Sequence, residues 1–190
     1  MDVTKAIETR RAYRSLESVE ITDDIIRDLA RHAQLAPSCD NNQPWRFVFV
    51  RDPGRLRELH AALTQKNDWV HAASMIVVVF SRKEDDCMIK DREYHQFDAG
   101  LAAAFLILRA VELGLVAHPI AGFSPKKTRE ILGIPEGYQV ITWINIGRHA
   151  AAPSPVLTPK QAAEEAERPA RKAFGEFASI DLFGGGFPPA

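Results

Sequence analysis

One loop of this chain carries the sequence Ala36-Pro37-Ser38-Cys39-Asp40-Asn41-Asn42-Gln43-Pro44-Trp45, downstream of Thr9-Arg10-Arg11-Ala12-Tyr13-Arg14-Ser15. The loop supplies hydroxyl and amide groups, which are neutral hydrogen-bond donors and acceptors. The upstream segment supplies three guanidinium groups, each of which can hold a phosphate through paired hydrogen bonds. Together the two segments predict a site for a ligand that has both an anionic group and a polar ring edge.

Hydrophobic periodicity and start and stop signals predict the elements around these segments. The run from Met75 to Phe80 is continuously apolar, which is typical of a strand covered on both faces. Residues 99–113 have the length and composition of a central buried helix, which we expect Asp98 to cap. We predict further helices over 3–9, from the Thr22 cap to Pro37, over about 55–63 and from the Ser124 cap to Leu132. We also predict strands over 45–50 and 138–146, and turns at 52–54 and 118–123.

Composition is typical of a globular protein. The chain has 190 residues, of which 46% are hydrophobic and 26% charged, and its net charge is -1, so no global field attracts nucleic acid or a membrane surface. The most apolar run, residues 99–110, is too short to span a bilayer. Residues 1–8 lack the apolar core of a secretory signal, and Cys39 and Cys87 have no metal or redox spacing. We expect a cytoplasmic protein with no resident metal.

The composition changes at Ala150, where a stretch rich in alanine, proline and charged residues begins. This stretch ends in Gly184-Gly185-Gly186 and Pro188-Pro189. An extended arm is therefore expected rather than a second domain. We assign residues 1–150 to a ligand-binding domain and residues 151–190 to an arm of that same domain.

These segments, taken in order, resemble the FMN-dependent nitroreductase family. The resemblance covers most of the chain and includes residues 108–115, the turn at 118–123 and Ile144-Asn145-Ile146-Gly147. It implies an α+β fold with a mixed central sheet surrounded by helices. It also implies a domain-swapped homodimer that binds FMN between its subunits, with the extended C-terminal arm wrapping the partner. Phe174 and Phe177 would then be anchors on the neighbouring subunit.

The resemblance also implies which residues hold FMN. The arginines bind its phosphate, the loop lies along the flavin of the other subunit with Cys39 as a small lining residue, and Asn67 reaches the pyrimidine. The backbone at 120–122 faces the reactive ring edge. A basic residue of the arm closes over the phosphate, with Arg168 and Arg148 as competitors for that role. The implied cofactor-binding residues are Arg10, Arg11, Ala12, Arg14, Pro37, Ser38, Cys39, Asn41, Gln43, Asn67, Ile120, Ala121, Gly122, Arg171 and Lys172.

Structural explanations stay open for several of these residues. An arginine cluster can be the solvated end of a helix, favoured by the helix dipole. Pro-Ser and Asn-Gln-Pro sequences commonly form turns, and a lone asparagine such as Asn67 usually does so too. His95 and Asp98 could place two ligands on one helical face, which is too few for a metal site.

One position departs from a well-known branch of the family, which has Glu where this chain has Ala121. This difference affects the polar contact that faces a nicotinamide, and hence the preference for reductant and substrate. No G-x-G-x-x-G sequence follows a strand, so NAD(P)H would visit the flavin site transiently, in ping-pong turnover. Trp69, Tyr94 and Phe123 are candidate walls of that site.

The sequence therefore predicts an NAD(P)H-dependent FMN oxidoreductase that passes hydride through flavin N5 to a small nitroaromatic, quinone or related acceptor. We assign no catalytic acid or base, because the flavin supplies the chemistry. Three alternatives stay open: a dehalogenase or flavin-fragmenting enzyme on the same fold, a non-redox or regulatory flavin-binding module, and a protein that binds a phosphate ligand without flavin.

Overall fold

A five-stranded sheet organises the fold in a computed structural model that describes residues 1–186. Its strands are β1 (Leu16–Glu17), β2 (Arg46–Val50), β3 (Met75–Ser81), β6 (Val116–Ile120) and β7 (Gln139–His149), while β4 (Met88–Ile89) and β5 (Arg92–Glu93) form a separate hairpin. The helices are α1 (Val3–Thr9), α2 (Asp23–Gln34), α3 (Pro53–His60), α4 (His95–Glu112), α5 (Pro125–Leu132) and α6 (Pro159–Ala166). The predicted α+β class is confirmed.

Strand β7 is the centre of the sheet, because three other strands pair with it. It pairs with β3 along residues 139–146, with β6 along 143–147 and with β1 at 148–149. Strand β2 pairs with the other side of β3 and forms an edge. All of these pairs are antiparallel within residues 1–186.

Strand β3 is buried on both faces, as its continuously apolar sequence predicts. Met75, Val77 and Val79 pack into the core cluster that α2 and α4 cover. Ile76 and Val78 pack into the opposite cluster, which also includes Trp69 and residues of α3 and α5. The sheet is therefore a central layer between two layers of helix.

The predicted helix caps at Thr22 and Ser124 are confirmed. The Thr22 side chain accepts from the N–H of Ile25, and the Ser124 side chain accepts from the N–H of Lys127. Helix α5 ends at Gly133, whose φ of 65° gives the left-handed C-cap that glycine favours.

Several predictions at the level of single elements were wrong. Asp98 does not cap the central helix, because α4 begins three residues earlier and Asp98 is buried in its first turn. The predicted turn at 52–54 is the start of α3, where Asp52 is the N-cap. Residues 118–120 belong to strand β6 rather than to a turn. Strand β1 was not predicted.

The C-terminal stretch is less extended than predicted, because it begins with helix α6. This helix has a capping box in which Thr158 and Gln161 satisfy each other's backbone N–H groups. After Glu167 the backbone is mostly irregular, with a short 3-10 turn at Phe174–Glu176. Residues 187–190, including the predicted Pro188-Pro189 terminus, lie outside the described residues.

Over the part of the chain that the structure describes, no helix combines the length and the hydropathy that crossing a membrane requires.

We predict that Leu106→Ala lowers the free energy of unfolding by about 2–5 kcal/mol, because it leaves a cavity between α4 and the sheet. Leu106 is fully buried, whereas Leu113, just beyond the same helix, is 39% exposed. Leu113→Ala is therefore the matched control, and we expect a change of less than about 1 kcal/mol. Denaturant unfolding followed by circular dichroism measures both. Equal losses for the two variants would contradict the assigned core.

Candidate functional site

The predicted arginines converge on one cavity although helix α1 ends before them. The cavity has a volume of about 210 Å³ and combines the segment after α1 with the segment after α6. Helix α1 does not continue through the arginines, because Arg10 is already its C-cap. The residues lining the cavity are Arg10, Arg11, Ala12, Arg14, Glu164, Arg168, Pro169 and Arg171.

Glu165 of α6 holds the two segments together. Its carboxylate accepts from the backbone N–H of Arg14 at 2.6 Å and from that of Ser15 at 2.8 Å. Burial alone would raise the pKa of Glu165, but the hydrogen bonds from Ser15 and Arg14 keep this pKa below its ordinary value. Arg11 adds a bond to the carbonyl of Glu165 at 2.8 Å. Sequence reasoning missed Glu165, because no local pattern connects residues 150 positions apart.

Among the five arginines that line the cavity, Arg10 is the one whose side chain has no partner within the described residues. Arg11 bonds α6, Arg14 forms an ion pair with Glu164 at 3.2 Å, and Arg168 donates to the carbonyls of Glu8 and Arg10. The guanidinium of Arg10 makes no hydrogen bond or ion pair within residues 1–186, although it is half-buried. Burial, and then repulsion from Arg168 and Arg171, lowers its pKa.

The arm therefore supplies Arg168 and Arg171 to this cavity. Arg171 was predicted to close over the same site, and Arg168 was named as a competitor for that role. Lys172 does not line the cavity and is exposed. Arg148 is exposed on β7 and does not line the cavity either.

A second group of site residues surrounds the end of β6. Asn67 donates through Nδ2 to the carbonyl of Gly122 at 3.1 Å and to the hydroxyl of Thr64 at 3.2 Å. A Cβ atom on Gly122 would lie 2.1 Å from Asn67 Nδ2, so only glycine leaves Asn67 in this position. Asn67 and the 120–122 segment, which were each predicted to face the flavin, therefore lie side by side.

The backbone of this segment presents unused donors. The N–H groups of Ala121 and Gly122 have no acceptor within the described part of the chain. Ala121 is exposed and Gly122 is half-exposed, so a ligand can reach both groups. The carbonyl of Ile120 is occupied, since Thr142 Oγ1 donates to it at 2.8 Å. The segment can thus donate hydrogen bonds to an acceptor atom on a ring edge.

His118 connects the two groups of residues. Its ring stacks on Trp69 at 4.6 Å between centroids, and its Nδ1 lies 3.0 Å from the carbonyl of Tyr13. Since a carbonyl only accepts, Nδ1 carries the proton. The pKa of His118 is lowered to about 4, mainly by burial and also by repulsion from Arg14 and Arg10, against the opposing hydrogen bond to Tyr13. The arginine cavity and the 120–122 segment therefore lie on one face.

The loop at 36–45 lies apart from these two groups within one chain. Its hydrogen bonds are internal or run to other segments: Gln43 N–H donates to Ser38 Oγ at 3.0 Å, and Cys39 N–H donates to Asp98 at 2.7 Å. Asn41 and Pro37 are exposed. A loop in this position could complete the site of a second copy, which is the role that the resemblance implies.

The two cysteines, whose spacing in the sequence matches no metal or redox motif, meet in the fold. Cys39 and Cys87 form a disulfide across a sequence separation of 48 residues. Cys39 is therefore a cross-link between the loop and the segment before β4, rather than only a small lining residue. The spacing gave no signal, since the pairing depends on how the loop packs against the segment before β4.

The structure defines a class of α+β proteins with a cavity lined by arginines, and comparison with known proteins identifies the family. A model of the nitroreductase family matches residues 7–66 and 56–148. A protein of Archaeoglobus fulgidus named "Putative NADH dehydrogenase/NAD(P)H nitroreductase" is 33% identical over 147 residues, covering 75% of this chain and 83% of that relative. An NADH dehydrogenase of Thermus thermophilus is 26% identical over 179 residues, covering 77% and 86%.

Solved structures give the same result for the fold. A crystal structure described as an oxidoreductase containing FMN superposes with a TM-score of 0.83 at 27% identity, covering 98% of this chain and 94% of that one. A nitroreductase family protein from Clostridium difficile 630 superposes with a TM-score of 0.78 at 18% identity, covering 96% and 99%. The chain belongs to the nitroreductase family. The predicted family and the general oxidoreductase class are confirmed.

We predict that the free energy of unfolding falls as the pH drops from about 6.5 to about 4. His118 and His60 both have a pKa near 4 in the folded chain against 6.5 as the ordinary value, with burial as the first cause for each. The unfolded chain therefore binds protons in this window that the folded chain does not. His118 contributes a loss of roughly 3 kcal/mol, and the more exposed His60 less.

Urea unfolding between pH 4 and pH 8 measures this effect. His118→Gln keeps a donor for the Tyr13 carbonyl but does not titrate, so its stability should depend less on pH by the amount that His118 contributes. His32→Gln on α2 is the control and should retain the acid loss. A His118→Gln profile parallel to that of the unsubstituted protein would contradict the prediction.

Proposed function

We propose that the chain binds FMN and is an NAD(P)H-dependent FMN oxidoreductase acting on a small nitroaromatic, quinone or related acceptor. The observation that carries the proposal is the half-buried guanidinium of Arg10, which has no partner within residues 1–186 and lies beside Arg168 and Arg171. Burying a charge without a counter-charge is costly. A phosphate dianion in the cavity would supply that counter-charge.

The chemistry of the donor set fits a phosphate monoester. Five arginines and one glutamate line the cavity, although the whole chain has a net charge of -1. Arginine presents a planar fork of donors that matches phosphate oxygens. In our proposal Arg10 and Arg171 contact the phosphate directly, while Arg11, Arg14 and Arg168 keep the bonds that hold the cavity in shape.

The segment at 120–122 would position the ring. Its unused N–H groups can donate to the flavin edge, and Asn67 is held beside it. Trp69, a candidate wall, is buried and stacks on His118, so it supports the end of β6 from the core. When bound, the flavin accepts hydride at N5 from NAD(P)H and passes it to the acceptor. The loop residues Pro37, Ser38, Cys39, Asn41 and Gln43 would contribute from the second subunit.

Two observations support NAD(P)H as a reductant that binds transiently. Several relatives are named for NADH dehydrogenase or NAD(P)H nitroreductase activity. The sequence offers no dinucleotide-binding fingerprint of its own. Reductant and acceptor therefore use the same exposed site in turn, which is the condition for ping-pong kinetics. A cytoplasmic location stays a prediction from composition.

The visible spectrum of the purified protein tests the function, first after reconstitution with FMN and then after anaerobic addition of NADH or NADPH. Bound flavin that bleaches is the expected result. Bound flavin that does not bleach with either nucleotide would replace the oxidoreductase with a non-redox or regulatory flavin module. Folded protein that takes up inorganic phosphate but no flavin would contradict the FMN assignment.

We predict that Arg10→Gln weakens FMN binding roughly 10- to 100-fold, since it removes one charged hydrogen bond worth about 1.5–3 kcal/mol. The same variant should leave the affinity for riboflavin unchanged, because riboflavin has no phosphate. Fluorescence titration of both flavins measures the two affinities.

The matched control is Arg57→Gln, which removes an exposed arginine of α3 and keeps the same change in net charge. It should bind FMN as the unsubstituted protein does. If Arg10→Gln weakened the binding of riboflavin and of FMN equally, Arg10 would not contact the phosphate.

We also propose that the functional unit is a homodimer, with the arm lying on the partner. Large apolar side chains are exposed on α1 and α4, including Val3 at 70%, Ile7 at 54% and Phe97 at 63%. Phe174 and Phe177 of the arm are 60% and 64% exposed. Exposed apolar surface on this scale is typical of an interaction site. A second copy would cover it and would bring loop 36–45 to the flavin.

We predict that Phe97→Glu weakens dimerisation by about 30-fold, the effect of losing about 2 kcal/mol at an interface hot spot. Sedimentation velocity over a range of concentrations measures the dimer dissociation constant. Ala61→Glu places the same charge at an exposed position at the end of α3, outside α1, α4 and the arm, and should have no effect. If the unsubstituted protein were a monomer, the proposed dimer would be wrong. If Phe97→Glu left the dimer dissociation constant unchanged, α4 would not be part of the dimer interface.

A second candidate function is reductive dehalogenation on the same fold. An iodotyrosine deiodinase of Haliscomenobacter hydrossis is 26% identical over 167 residues, covering 68% of this chain and 75% of that relative. Halide release from a halogenated phenol by the reduced holoenzyme would favour this function over nitro or quinone reduction.

A further inference from the structure

The disulfide ties the loop at 36–45 to a different part of the fold. Cys39 and Cys87 are the two cysteines of the chain, so they have no competing partner within it. Their Cα atoms lie 5.9 Å apart, inside the usual range for a disulfide. Cys39 begins the 3-10 turn Cys39–Asn41, and Cys87 directly precedes β4.

The tied loop has an unusual backbone. Asp40, Asn41 and Gln43 have φ values of 49°, 57° and 50°, which lie in the left-handed region. Residues other than glycine occupy this region at an energetic cost and stay there only when their surroundings hold them. The loop therefore depends on its attachments for its shape.

Those attachments concentrate around the disulfide. The N–H of Cys39 donates to the buried carboxylate of Asp98 at 2.7 Å. Asn42 Nδ2 lies 3.4 Å from Asp86 Oδ1 and 3.5 Å from Cys87 Sγ, at the limit of hydrogen bonding. The disulfide is the covalent link in this set, and the bonds of Asn42 are long. Opening it would leave the middle of the loop attached by the Asp98 bond and by the 3.0 Å bond from the Arg46 guanidinium to the Gln43 carbonyl, between ends that Ala36 and Trp45 anchor in the core.

The disulfide is also placed where a reductant can reach it. Both cysteines are half-buried, and Asp40 beside them is exposed. Disulfides in reducing compartments are mostly transient or redox-sensing. A solvent-accessible disulfide in a chain that we place in the cytoplasm therefore points to a reversible link.

We propose that Cys39 and Cys87 form a reversible redox switch that fixes the loop at 36–45 when oxidised and releases it when reduced. Its effect on cofactor binding rests on the proposed function, since that is what gives the loop its contacts with FMN. The oxidised chain holds Ser38, Asn41 and Gln43 ready for the flavin. The reduced chain lets Asp40, Asn41 and Gln43 leave the left-handed region, and FMN binds more weakly.

A dithiol is the class of reductant that operates the switch. One thiolate of the dithiol attacks a sulfur of the disulfide, which breaks the S–S bond and forms a mixed disulfide. The second thiolate attacks the mixed disulfide and releases the remaining protein sulfur. Two electrons and two protons pass from the dithiol to the protein, which leaves two cysteine thiols and a cyclic oxidised dithiol.

Hydrogen exchange with mass spectrometry tests the switch on the full chain, before and after treatment with dithiothreitol and without added flavin. We expect amides of residues 36–45 to exchange about tenfold faster after reduction, because the loop opens more often. Amides of β3 should not change. The Cys39→Ser, Cys87→Ser double variant should match the reduced protein and should not respond to dithiothreitol. Thiol titration under denaturing conditions confirms zero and two thiols in the two states.

FMN titration of both redox states then separates this proposal from the proposed function. FMN binding that is about tenfold tighter in the oxidised state supports the switch, because one released left-handed residue changes the loop equilibrium by about this factor. Equal exchange in both states overturns the switch even if FMN binds. Loop exchange that responds to redox state in a protein that never binds FMN supports the switch and contradicts the proposed function.

Two outcomes of the thiol titration would also overturn the proposal. The first is a protein that keeps two free thiols after oxidation in air. The second is two thiols together with one zinc ion per chain, which would make Cys39, Asp40 and Cys87 metal ligands.

Discussion

The hydrogen-bond ladder of β7 is the constraint on which the rest of the structure depends. Buried backbone groups must be paired, and β7 achieves this by pairing with β3 along one side and with β6 and β1 along the other. Residues 143–147 of this strand are all buried. Because β1 follows the arginine segment and β6 precedes Gly122, the ladder places both halves of the site on one face.

The charges on this face are the next constraint on the candidate site. The carboxylate of Glu165 joins α6 to the backbone after α1, and the arginines that follow α6 arrive beside those that follow α1. Arg10, Arg168 and Arg171 repel one another in this arrangement. This repulsion destabilises the fold, so selection for stability alone would not favour it. Such a local conflict is expected at a binding site, and in our proposal a bound anion relieves it. The cavity is therefore best explained by a ligand.

The candidate site is assembled from segments that are far apart in the sequence, so local sequence patterns do not show that they meet. Thr22 and Ser124 were predicted as helix caps because capping depends on residues within one turn. The buried strand at 75–81 was predicted because its apolar run is continuous. Strand β6 was missed, since five residues that include Pro119 show neither clear alternation nor length. Asp98 was given a local role as a cap, but it bonds the distant Cys39 instead.

By itself, the sequence determined the family and the α+β class and supplied the candidate arginine and amide residues, because these follow from local pattern and from the order of motifs. Only the tertiary structure decided which residues meet. It grouped Arg10 with Arg168 and Arg171, excluded Lys172, placed His118 against Trp69 and joined Cys39 to Cys87. These contacts span 48 to 161 residues of chain, so their geometry depends on how the helices pack on the sheet.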